Sequence, residues 1–213
     1  KTGGAFERLT KVLKENSYWV GSLVSGFLSL ISIELASHFV RITDQLTLMK
    51  NRLGTVNPEV VKLEENFDSV VQIAMETRSN LAAVANLYSR IGRNSKRLQK
   101  DQEALIRVVR TINQGFQLSG ATAEEARNAI VQLSQAFASG RLQGDELRSV
   151  LELAPEAAKG LAKAIGITTG TMRRFAAEGM ITTEVMVAAF EKASAETQAK
   201  FDNIKATISQ AME

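Results

Sequence analysis

Residues 120–155 read GATAEEARNAIVQLSQAFASGRLQGDELRSVLELAP, and the fold class is decided there. Thr122 and Glu125 have the T-x-x-E spacing of a capping box, in which each side chain satisfies a backbone donor at a helix start. Ala126, Ile130, Leu133 and Phe137 then recur at i, i+4, i+7 and i+11, one apolar face of a helix. Gly140 stands where a left-handed residue would end that helix. Gly144 opens a second turn. Asp145 and Glu146 put negative charge at the next helix start, where the macrodipole favours it. Leu147, Val150, Leu151 and Ala154 give that helix a buried face. Pro155 suits the first turn of a third helix, where its missing N–H is no loss, and Gly166 ends it.

Outward from this corner the same grammar repeats. Asn57 and Pro58 look like a cap and first-turn pair for a helix through Phe67 and Val70. Ser79 or Asn80 caps the next, with Leu81, Val84, Tyr88 and Ile91 inward and Gly92 at its end. Residues 93–100, RNSKRLQK, read as a solvated basic connector rather than a phosphate patch. Asp101 starts a helix with Leu105, Val108, Val109, Ile112 and Phe116 on one face, closed by Gly120. Met172–Glu178 form a short helix stopped by Gly179. Thr182 or Thr183 caps a long last helix with a narrow stripe through Val185, Ala189, Lys192 and Glu196 that becomes increasingly polar. No stretch alternates long enough for a strand.

Tyr18–Val40 differs from the rest. It lacks Lys and Arg, and Glu34 is its one carboxylate. Its length reaches the ~20 residues of a membrane span. Gly21, Ser25 and Ser29 form a small-xxx-small ridge that lets helices approach. Glu34 and the serines oppose residence in lipid. The segment is therefore read as an apolar packing helix that self-associates and has conditional membrane affinity.

The expected architecture is all-α: a long apolar N-terminal helix (1–56), a compact cluster of short helices joined by Gly and Pro corners (57–182), and a long final helix (183–213). The chain starts at Lys1 rather than Met, and the helix carrying Phe190, Phe201 and Ile204 shows no stop signal. It reads as an excerpt of a longer protein.

Chemistry is hard to find. With no Cys and one His, thiolate sites, multi-His metal centres and the commonest nucleophile–base pairs are excluded. Paired carboxylates such as Glu124–Glu125 sit on different helix faces. No phosphate-binding glycine motif occurs. A net charge of +3 is too balanced to indicate a nucleic-acid site. Gln132 and Gln135 are candidates for amide bonds between helices, although helix propensity alone would admit them. No cofactor, metal or catalytic residue is expected.

Several ordered blocks resemble phage tail tape-measure proteins, in the N-terminal region of that family. TDQLTLMKNRLGTV (Thr43–Val56) is similar to its NRL segment. ETRSNLAAVANLYSRIGRNSK (Glu76–Lys96) is similar to its helix with an LY-x-R motif, here carrying Tyr88. GDELRSVLELAP (Gly144–Pro155) and GMITTEVMVAAF (Gly179–Phe190) resemble two downstream blocks. The resemblance implies a structural protein inside the tail tube of a long-tailed phage or prophage, assembled in the host cytoplasm. It would set tail length and leave the tube ahead of the DNA. A helix rises ~1.5 Å per residue, so chain length converts to tube length, and a ruler needs no pocket. Implied partners are further copies of itself, as a homo-oligomer or coiled coil, the tail-tube protein, tail-assembly chaperones and, during ejection, the host membrane. Two rival readings are a membrane-active helical protein using residues 18–40 and an enzyme acting on cell wall.

Overall fold

A computed structural model describes residues 47–48, 50–51, 53–54, 56 and 60–210 of the chain. From Val60 onward they run through eight helices: α1 (Val60–Glu76), α2 (Leu81–Asn94), α3 (Gln102–Leu118), α4 (Ala123–Ser139), α5 (Gly144–Leu153), α6 (Pro155–Ile165), α7 (Thr169–Ala177) and α8 (Thr183–Gln210). Among the described residues there is no strand, only one isolated antiparallel bridge between Arg141 and Thr182. The all-α reading stands. Tyr18–Val40, with Gly21, Ser25, Ser29 and Glu34, lies outside the described residues, as do Asn57 and Pro58. Among the described residues no helix is long and apolar enough to cross a membrane.

The helices belong to a compact unit spanning Met49–Glu213. α3 is its spine and packs on α1, α2, α4, α6 and α8. The sequence assigns α3 one apolar face. In fact Thr111–Phe116 are buried in succession, including Asn113 and Gln114, because helices flank α3 on several sides. Local bonds make that burial tolerable. Thr111 Oγ1 donates to Arg107 O at 2.8 Å, Asn113 Nδ2 to Val109 O at 2.8 Å, and Gln114 Nε2 to Gln198 Oε1 at 2.7 Å.

Three sequence readings need correction. Gly92 does not end α2, which continues to Asn94. A Cβ there would lie 2.4 Å from Val56 Cγ1, so the glycine lets Val56 pack against the helix. Residues 93–100 are not simply solvated: Leu98 is fully buried, and Arg97 pairs with Glu191 on α8. The inward face of α8 carries Met186, Val187, Ala189, Phe190 and Phe201. Lys192 and Glu196 are exposed and bond instead to α6. The stripe follows the buried face at Ala189 and leaves it at Lys192 and Glu196.

Candidate functional site

α4 forms because its apolar side chains share one face and its ends are capped. Ala126, Ile130, Leu133 and Phe137 are all fully buried. The Thr122–Glu125 capping box is complete: Glu125 Oε2 accepts from Thr122 N at 2.8 Å and Glu125 N donates to Thr122 Oγ1 at 3.3 Å. The backbone N–H of Thr122, then its hydroxyl, hold the Glu125 carboxyl below its ordinary value. Gly140 closes the helix at φ 87° and its N–H donates to Ala136 O.

The chain leaves Gly140 and meets, about forty residues later, the turn after Gly179. Leu142 N donates to Ile181 O at 2.8 Å, and Thr183 N donates to Gly140 O at 3.0 Å. Thr183 Oγ1 also reaches Phe137 O at 3.5 Å. Leu142 and Ile181 are fully buried beneath this clasp, and Thr183 is 2% exposed. α5, α6 and α7 are the excursion that it closes. Gly144 starts α5 at φ 52° and Gly179 turns the chain into α8 at φ 70°. Asp145 pairs with Arg148 at 3.2 Å in the first turn of α5, and Glu146 is half-buried. Pro155 occupies the first turn of α6, and Glu156 N there donates to Ser119 Oγ at 3.1 Å.

The Gly140–Leu142 turn, immediately ahead of the block from Gly144, therefore meets the block from Gly179 at one place. Spacing does not reveal this. One signal was available: both corners read Gly-x-apolar, as Gly140-Arg141-Leu142 and Gly179-Met180-Ile181. An apolar residue in a glycine turn needs burial against something outside its own helix.

Tyr88 is elsewhere, fully buried on α2. Its hydroxyl donates to Gln102 Oε1, which also accepts from Asn66 Nδ2 at 3.3 Å. Burial pushes the phenol well above its ordinary pKa. Gln102 thus ties α1, α2 and α3 together. Gln132 is half-buried and Gln135 exposed on α4. The amide bonds between helices come from Gln102 and Gln114, which the periodicity did not single out.

A second junction joins α6 and α8. Lys159 lies 2.5 Å from Glu156, Lys163 2.6 Å from Glu196, and Lys200 spans both at 3.8 and 3.1 Å. Lys192 Nζ donates to Ala164 O at 3.2 Å. The Lys159 hydrogen bond holds Glu156 below its ordinary pKa, and the Lys163 hydrogen bond does so for Glu196. Among the described residues no group of His, Cys, Asp or Glu is placed to hold a metal ion. The geometry is that of a clasped helical module.

Residues 37–213 match the family described as tape measure protein. No curated protein and no solved structure matches the chain.

Proposed function

We propose, from the premise that this chain belongs to the tape measure protein family, that its folded helices form an end module and that length is measured elsewhere in the protein. Tape measure proteins are structural components of phage tails, and this chain has that role. The finer reading is that the protein lies in the tail tube, fixes its length during assembly and leaves ahead of the DNA. Its partners there would be other copies of itself, the tail-tube protein and the assembly chaperones. Contact of residues 18–40 with the host membrane during ejection belongs to the same proposal.

One observation carries the end-module reading. A ruler must convert residue number into distance, at ~1.5 Å per residue if helical. The described residues turn back repeatedly, and the clasp ties Gly140 to Thr183 across three intervening helices. α8, the longest of the described helices, has 28 residues and so reaches only about 42 Å. Adding a residue to a loop here would not lengthen the assembly.

The test is electron microscopy of tails made with in-frame deletions in an extended helical portion of the full-length protein. Tails should shorten by ~1.5 Å for each residue removed. Tails of unchanged length across that series would defeat the assignment.

A further inference from the structure

The exposed face between α2 and α4 holds a groove of about 460 Å³ whose charges are all positive. Arg90 and Arg93 line it from α2 and Arg127 from α4, with Asn86 between them. No carboxylate lines it. Arg90 is the informative residue: its Nε is buried and has no hydrogen-bond partner. A buried guanidinium N–H without an acceptor costs free energy that an incoming anion would recover. Arg93 uses Nε on Ser89 O at 3.2 Å, leaving the rest of its fork available. In the α6–α8 network, by contrast, Lys163 and Lys200 are matched by Glu196.

We propose that this groove docks an acidic, amphipathic helical segment of a protein partner. The arginine fork fits carboxylates in bidentate geometry. Asn86, Arg90 and Arg93 follow at i, i+4 and i+7, so they present one polar row along α2. Ala83 and Val131 supply methyl groups to the same groove, and these suit the apolar face of a helix rather than a phosphate backbone. No aromatic side chain lines it, so it lacks the stacking platform of a single-strand nucleic-acid site. From Asn80 to Arg93 the groove follows α2 for about 20 Å, the length of a helix of ~14 residues. The chain's own residues 1–46 are not acidic and do not complement it. This inference is independent of the length-setting role.

The probe is a fluorescein-labelled helical peptide of about 14 residues with Glu on one face and Ala and Leu on the other, titrated into the 213-residue chain by anisotropy. Binding should weaken with added salt. It should fall about tenfold or more in Arg90→Gln/Arg93→Gln/Arg127→Gln, while Arg107→Gln/Arg148→Gln/Arg173→Gln, with the same charge removed elsewhere, leaves it intact. Circular dichroism and melting report that both variants are folded. Arg127→Glu, an exposed single change, gives a second reading, with weakened binding of the Glu peptide and improved binding of its Lys counterpart. Duplex or single-stranded DNA binding more tightly than the peptide through the same three arginines would overturn the proposal in favour of nucleic acid. So would no peptide binding, or peptide binding that the triple variant leaves unchanged.

Discussion

Replacing Gly140 with Ala isolates a single physical effect at the clasp. The residue sits at φ 87°, a conformation that costs an L side chain about 1–2 kcal/mol. A Cβ there would find nothing within 4 Å, so no clash adds to the backbone term. The N–H bond to Ala136 O and the carbonyl bond from Thr183 N involve only main chain and survive the change. In a unit of this size each kcal/mol moves the melting temperature by roughly 2–4 °C. Gly140→Ala should therefore melt about 2–8 °C lower by calorimetry. Gly140→Asn should lose about half as much, because Asn tolerates the left-handed region. An unchanged melting temperature for the Ala variant, or equal losses for Ala and Asn, would show that the left-handed backbone at residue 140 is not what the substitution strains.

Leu142→Ala removes a fully buried side chain and should destabilise the unit by about 2–5 kcal/mol, read from urea unfolding; a change below ~0.5 kcal/mol would show that the corner is not part of the core. Tyr88→Phe deletes the donor to Gln102 and should cost about 1 kcal/mol in the same assay, while a gain in stability would contradict the bond's role. Lysine hydrogen bonds lower the pKa of Glu156 and Glu196 from the ordinary 4.5, so their contribution is present above that value and lost as pH falls through the lowered folded value. Both pairs are solvent-exposed, so the effect is small and salt-sensitive. The melting-temperature gap between the parent and Glu156→Gln/Glu196→Gln should close in acid, and a gap that persists at low pH would exclude the network as its source.

Local rules were legible in the sequence, and long-range ones were not. The Thr122 capping box, the left-handed Gly140 and the Pro155 helix start are each fixed by neighbours within four residues, so their spacing carries the information. The inward face of α4 followed from period alone. For α8 the period held only as far as Ala189, because Lys192 and Glu196 lie over α6, where Lys192 bonds the Ala164 carbonyl and Glu196 pairs with Lys163. Burial of Asn113 and Gln114 depends on how many helices surround α3, which no single-helix pattern encodes. The clasp joins residues about forty positions apart through main-chain atoms, and main-chain bonding leaves little trace in side-chain identity. Leu142 and Ile181, apolar residues stranded in glycine turns, are its only visible mark.

We propose that the clasped helices fold a module of the tape measure and do not themselves measure length. Electron microscopy of tails from phage or prophage carrying a deletion of Gly140–Gly144 tests it most directly. Losing the corner removes the acceptor for Thr183 N and the buried Leu142, so the module should fail to pack. The expected result is fewer tails, with the surviving ones at parental length. Normal tail numbers with a length reduced in step with the deleted residues, at ~1.5 Å each, would contradict it.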